Sequence, residues 1–348
     1  MNNSCGLSEN LEPSLVIASK LDLRYPIDGP TRQLLVNLPA LTSLKFPFHL
    51  AKAICQAKAV PVLFVSIPGQ GELLLSFLVK AIYRSRISTV VFDLIMRNPH
   101  SVRERLLAPI KRHLLRYIDV FIFIHRDTSG YESAYGIPKK KCVYVPFKAN
   151  NFDIAPSVPT ADGGYVVALG ASQRDYGLLM EAVRDLPIPV KIVAPRSKIG
   201  VHGANMGIGP LPPNFEWIDR PVDRIEWNTL IAQSRFVAIP IRPGTLQPAG
   251  ISVYLEAMML DKPVVITRST STEGILDERT ALIVPPGDAG ALRKAITYLW
   301  NDAGLRERLA KNGKRYAISL GNNDRLLADL RSIIRRTYAR TAAPSSQQ

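Results

Sequence analysis

"GTLQPAGISVYLEAMMLDKPVV" (Gly244–Val265) passes from an irregular Pro/Gly-bearing stretch into an amphipathic run and then a short β-branched one. The pattern predicts a loop, a helix over Ser252–Leu260 and a strand over Pro263–Arg268. Upstream, "FVAIPI" (Phe236–Ile241) is another apolar strand, and "RIEWNTLIAQS" (Arg224–Ser234) is helical before it. "YVVALG" (Tyr165–Gly170), "YGLLMEAVRDL" (Tyr176–Leu186) and "VKIVAP" (Val190–Pro195) repeat the rhythm. "TALIVPP" (Thr280–Pro286) and the helix "AGALRKAITYLWND" (Ala289–Asp302) continue it. Continuous Val/Ile/Phe runs, rather than strict alternation, predict parallel strands buried on both faces.

The first half has the same alternation. "SLVIAS" (Ser14–Ser19), "VPVLFVSI" (Val60–Ile67), "STVVFDLI" (Ser88–Ile95), "DVFIFI" (Asp119–Ile124) and "KCVYVPF" (Lys141–Phe147) are strand candidates. A long apolar-periodic region over Thr31–Ala57, "ELLLSFLVKAIYR" (Glu72–Arg84) and the basic run Ser101–Ile118 supply helices. The Pro/Gly-rich "NNFDIAPSVPTADGG" (Asn150–Gly164) separates the halves. The expected class is α/β, with two Rossmann-like doubly wound domains facing across a cleft. The expected boundaries are 1–150 and 151–320, with a C-terminal helix and disordered tail over 321–348.

The 348 residues are 47% hydrophobic and 21% charged, an ordinary globular composition. No apolar run reaches the roughly 18 residues of a spanning helix, and the start lacks the order of a signal peptide. A cytoplasmic protein is expected, peripheral at most on the inner face of a membrane. Cys5, Cys55 and Cys142 form neither a disulfide frame nor a metal spacing. The net charge is +15. Residues 1–150 hold 20 Lys+Arg against 10 Asp+Glu, and residues 151–348 hold 24 against 19, so the excess lies in the first half. That field attracts nucleic acid, anionic headgroups or phosphorylated substrates alike. No helix-turn-helix, zinc or aromatic–basic motif favours nucleic acid.

"GISVYLEAMMLDKPVVITRST" and "LDERTALIVPPGDAGALRKAITYLWND" resemble the donor-sugar domain of GT-B glycosyltransferases, above all glycosyltransferase family four. "LGASQRDYGLLMEAV" is similar to the first strand–loop–helix of that domain, and "SRFVAIPIRP" to the segment leading into the motif. The likeness is strongest over Arg235–Asp302. It implies a transferase that moves a sugar from a nucleotide-diphosphate donor, UDP- or GDP-linked, to a glycan or lipid-linked acceptor. No further cofactor and no metal are expected, since no Asp-x-Asp motif ends a strand. A sugar-nucleotide epimerase, or an inactive member that only binds nucleotide sugars or anionic polymers, are the alternatives.

By the resemblance, Gly250, Ile251 and Ser252 hold the pyrophosphate, and Glu256 accepts hydrogen bonds from the ribose. A helix start suits an anion because its backbone N–H groups and dipole are both positive there. The local stretch alone also reads as a Ser252 N-cap followed by a solvated carboxylate. The family places a further glutamate ahead of the conserved one, contacting the sugar; here Pro248 stands there, and the nearest polar side chain is Gln247. Arg174 is expected to point into the cleft and neutralise phosphate charge. Arg196 and Lys198, in "APRSKIG", are expected near the nucleotide base or phosphates, or else as solvated loop charges. Asp93, His100 and His125, at or after strand ends of the first half, are the candidates for a base on the acceptor hydroxyl. The basic run Ser101–Tyr117, with Leu107, Ile110, Leu114 and Tyr117 on one face, suits an anionic bilayer or an ordinary core.

Overall fold

The computed structural model describes residues 16–18, 62–68, 70–83, 87–99 and 101–342. The regions Thr31–Ala57 and 343–348, read above as helical and as a disordered tail, lie outside them. Strands β1 (Val16–Ala18), β2 (Val62–Ser66), β3 (Ser88–Phe92), β4 (Val120–Phe123) and β5 (Cys142–Tyr144) form one parallel sheet in sequential order. Every residue of β2 and β3 is buried, as their unbroken apolar composition requires. Leu63, Val65, Val91, Phe121 and Phe123 face helices α1 (Gln70–Tyr83), α2 (Val102–Leu115) and α3 (Ser129–Tyr135).

The second sheet holds β6 (Val166–Leu169), β7 (Val190–Val193), β8 (Phe215–Ile218), β9 (Phe236–Ile239), β10 (Val264–Thr267) and β11 (Leu282–Val284). Its order is β11-β10-β9-β6-β7-β8, again parallel throughout. The chain winds outward from β6 to β8, then jumps back to β9 beside β6. The connections diverge there, which opens a crevice at the carboxyl ends of β6 and β9. Helices α4 (Tyr176–Val183), α5 (Arg196–His202), α6 (Arg224–Ala232), α7 (Ile251–Met259), α8 (Ala289–Asn301) and α9 (Ala303–Ser319) flank this sheet.

The last helix, α10 (Asn323–Ala342), leaves the second sheet and covers the free face of the first. Its Leu326, Leu330 and Ile334 share a core with Val62, Phe64, Val90 and Phe92. Fully burying such side chains stabilises the fold by roughly 1.5–3 kcal/mol each. Arg325 also donates from Nη2 to Pro146 O at 2.8 Å and Phe147 O at 3.1 Å, tying α10 to the crossing between the sheets.

Two elements differ from the sequence reading. Arg196–His202 is a short helix, not a loop. "FEWI" forms the edge strand β8 against β7, a segment too short and too Pro-flanked to show periodicity. α9 lies across α7, where a Cβ on Gly313 would stand 2.8 Å from Met258 Cγ, so only glycine allows that approach.

Candidate functional site

Two loops bound the crevice of the second sheet, one after β6 and one after β9. Backbone pairing joins them: Arg174 bridges Ile241, Arg242 N–H donates to Gln173 O at 2.9 Å, and Asp175 N–H donates to Pro240 O at 2.9 Å. Ile241 N–H in turn donates to Thr267 Oγ1 at 2.6 Å, which fixes the β9 loop to β10. The site floor is thus held by main chain on both sides of the strand-order reversal.

α7 begins on this floor. Gly250 is the N-cap with φ +95, and no side chain caps the helix. A Cβ there would lie 3.0 Å from Ile239 Cγ2 and 3.4 Å from Ile241 Cδ1, so the turn needs glycine for both its backbone angle and its closeness. Ser252 sits inside the helix rather than at its N-cap, which corrects the bland local reading. The first-turn N–H groups, Ile251 and Ser252 among them, have no intrahelical acceptor and no side-chain cap. They therefore present positive potential at the crevice.

Beneath the neighbouring loop lies Arg174, only 2% exposed. Its Nε donates to Leu169 O at 3.0 Å and its Nη1 to Ser172 O at 2.8 Å. The expectation of a side chain reaching out into the cleft is corrected: the guanidinium folds under its own loop. Burial pulls its pKa down, and no carboxylate offsets the charge. A buried cation without a counter-ion is costly unless an anion approaches. The floor therefore carries an uncompensated charge next to an uncapped helix start.

Glu256 lies in the second turn of α7, about 7.5 Å along the axis from its start at 1.5 Å per residue. It is buried, not solvated. Its Oε2 accepts from Trp227 Nε1 at 2.8 Å, and its main-chain O accepts from Asn151 Nδ2 at 3.1 Å. Burial raises its pKa, while Trp227, Asn150, Lys148 and Arg224 pull it back. The carboxylate thus faces α6 and the chain crossing at 148–153. Trp227, absent from the sequence reading, could be found only by packing, since α6 and α7 meet in space and not in sequence.

Arg196 is fixed elsewhere. Its Nε pairs with Asp219 Oδ2 at 2.9 Å, and its guanidinium stacks 4.4 Å over Trp217. Lys198 is an exposed residue on the same helix. Gln247 is buried and lines the seam between the two sheets' loops.

On the first sheet, Asp93 follows β3 with φ +52 and donates its N–H to Ile122 O at 2.8 Å. Ile67 and Gln173, also after strand ends, share this left-handed conformation. Such backbone is sparsely populated for non-glycine residues and gathers at functional sites. Asp93 Oδ1 is buried with no hydrogen-bond partner, and burial raises the carboxyl pKa to about 6. His125 is wholly buried, its ring against Phe123 and Tyr131. Its Nδ1–H donates to Asp127 O at 2.8 Å, which leaves Nε2 an unpartnered acceptor and the ring neutral. It is a core histidine in this arrangement. His100 lies outside the described residues.

The seam adds residues that the sequence reading missed. Asn98 Nδ2 donates to Gly244 O at 2.7 Å and Arg97 Nη2 to Val201 O at 2.5 Å, both across the two sheets' domains. Leu246 enters the first domain's apolar cluster beside Tyr131, where a Cβ on Gly130 would stand 2.2 Å from its Cδ2. Only the position of Arg97 and Asn98, just past Asp93, hinted at this in the sequence.

Residues 209–302 match the family described as glycosyl transferases group 1. The chain is similar in structure to a glycosyltransferase from Rickettsia africae, with 13% identity, a TM-score of 0.61, and coverage of 90% of this chain and 86% of that one. It is similar to HepE of Anabaena, solved with UDP and glucose, at 16% identity and TM-score 0.61, covering 88% and 86%. Sucrose-phosphate synthase from Thermosynechococcus elongatus gives 15% identity and TM-score 0.59, covering 89% and 84%. No curated protein is significantly similar in sequence. The two-sheet fold is that of GT-B glycosyltransferases, and together with the group 1 segment it supports a glycosyltransferase enzyme.

Proposed function

We propose that this chain, a glycosyltransferase by its group 1 segment and GT-B fold, moves a sugar from a nucleotide-diphosphate donor to a glycan or lipid-linked acceptor. The observation that carries the reading is the uncapped start of α7 on the strand-order reversal, beside a buried guanidinium with no counter-ion. Diphosphate oxygens accept from the free N–H groups of the first turn, and Arg174 adds field from below. Glu256, in the second turn from the phosphates and flanked by Trp227, receives the ribose hydroxyls. Asp93, from the opposite domain, accepts the proton of the acceptor hydroxyl. In this reading the helix start and the buried guanidinium of Arg174 meet the leaving-group charge, and the transfer needs no metal.

Thermal unfolding with UDP, GDP and ADP, each free and sugar-linked, tests this. A nucleotide at a hundredfold its Kd stabilises the folded state by about 2.7 kcal/mol, a rise of roughly 4 °C for a chain of this size. Glu256→Ala is expected to remove most of that rise. An unmoved midpoint with every nucleotide sinks the proposal.

A lipid-linked acceptor fits the outer face of α2. Val102, Leu106 and Ile110 recur every four residues and are 74%, 72% and 57% exposed, with Arg103, Arg105 and Lys111 alongside. Of the face read from the sequence as suiting a bilayer or a core, Leu107, Ile110 and Leu114 line an apolar groove with Leu73 and Leu74 of α1, and Tyr117 packs on Phe77, so Ile110 borders both the groove and the exposed stripe. Among the described residues no helix is long and apolar enough to cross a membrane. The stripe suits shallow insertion with basic side chains at the headgroups. Sedimentation with phosphatidylserine vesicles is expected to weaken as salt rises, because the screening length falls from about 10 Å at 0.1 M to about 3 Å at 1 M. Leu106→Asp is expected to lower it on the order of tenfold. Pelleting unchanged by Leu106→Asp refutes membrane docking through α2.

A further inference from the structure

A cavity of about 190 Å³ lies where the loop after β3 meets the loops after β6 and β9. Arg97 and Asn98 line it from the first domain, and Gln173, Arg242, Thr245 and Gln247 from the second. Its volume is below the roughly 300–1,000 Å³ of a whole-ligand pocket, so it suits one group of a larger ligand.

Its chemistry is one-sided, because two guanidiniums line it and no carboxylate does. Each arginine is steadied by one bond to a carbonyl at the carboxyl end of α5. Arg97 Nη2 donates to Val201 O at 2.5 Å, and Arg242 Nη1 donates to Gly203 O at 3.2 Å. A guanidinium has five N–H donors, so most of each fork stays open. Planar forks match carboxylate and phosphate oxygens in pairs. The amides of Asn98, Gln173 and Gln247 and the Thr245 hydroxyl supply neutral partners for hydroxyls around that charge.

The diphosphate already has the α7 start and Arg174. Arg97 and Arg242 are therefore surplus to it, and they line the cavity from opposite domains. Gln247, the polar side chain nearest the position where the family's further glutamate is missing, is neutral and lines the cavity, so no carboxylate repels an anion there. Resting on the transferase reading above, we propose that this cavity receives the acidic group, carboxylate or phosphate, of an anionic sugar. The enzyme's donor or its acceptor is then an acidic saccharide.

Calorimetric titration of the intact protein tests it in two arms. The donor arm compares UDP-glucuronic acid with UDP-glucose, which differ only at C6. The acceptor arm compares methyl glucuronide with methyl glucoside, titrated into protein saturated with UDP. In one arm the acid is expected to bind at least tenfold tighter than its neutral partner, and that arm says which substrate carries the charge. Arg97→Gln and Arg242→Gln are each expected to cut the preference about fivefold or more while leaving the affinity for UDP unchanged. Equal affinities in both arms with wild-type protein overturn the inference, whatever the variants do. So does a variant that weakens UDP as much as the acidic sugar, since the arginines would then hold the diphosphate. UDP binding without any acid preference leaves the transferase reading standing, whereas no nucleotide binding removes both.

Discussion

Asp93→Asn is expected to slow transfer by about 10²–10⁴-fold and at the same time to stabilise the protein at alkaline pH. The first effect follows from its proposed role as the base, since a positioned general base contributes rate of that order. The second follows from burial. Asp93 Oδ1 has no hydrogen-bond partner, and the folded carboxyl holds its proton up to about pH 6. An unfolded aspartate loses it near pH 3.9. Between about pH 4 and pH 6 the folded state thus binds a proton that the unfolded chain has released, so stability falls as pH rises through that window. The full loss is about 3 kcal/mol, from roughly two pKa units at 1.36 kcal/mol each. An amide never ionises, so the variant should gain over wild type at pH 8 and little at pH 4. For wild type, kcat/KM should climb through about pH 6 as the carboxylate forms. Wild-type turnover in Asp93→Asn, or a midpoint difference independent of pH, would remove this assignment.

Gly250→Val is expected to abolish nucleotide binding and to cost about 2–6 kcal/mol in stability. A branched side chain at φ +95 carries roughly 1–3 kcal/mol of backbone strain, and overpacking adds about as much again. The clash is with Ile239 and Ile241 at the ends of the strand that supports the turn. Relief requires the helix start to lift, which moves the open N–H groups away from the phosphates. Gly244→Ala is the control. Gly244 also has a positive φ, +72, but its Cβ would meet nothing within 4 Å. It should cost on the order of 1 kcal/mol and leave the nucleotide shift intact. If Gly250→Val keeps the UDP-induced rise in midpoint, the α7 start does not grip the donor.

The fold was written largely in local pattern. Runs such as "VLFVS" and "FVAI" are buried on both faces, and that double burial is why they read as unbroken apolar segments. Amphipathic helices between them left little choice but parallel sheets. The short edge strand β8 and helix α5 escaped, because neither is long enough for a period to emerge. At the site, the helix start after Gly250 was legible as an element, while its use came only from the resemblance, since the local stretch alone also read as a Ser252 N-cap.

What partners each side chain finds was not legible, because it depends on which segments the topology brings together. The back-crossing from β8 to β9 creates the crevice, and no local run encodes it. Arg174 reads as a free loop cation until the fold buries it under Leu169 and Ser172. His125 looks like a base until the core closes over it. Arg97 and Arg242 lie 145 residues apart and become one cavity wall only when the domains meet. Sequence by itself therefore determined the elements and the helix start, since backbone hydrogen bonding and apolar period act over a few residues. Tertiary structure alone decided the charges, since desolvation and pairing act between atoms that are near in space and distant along the chain.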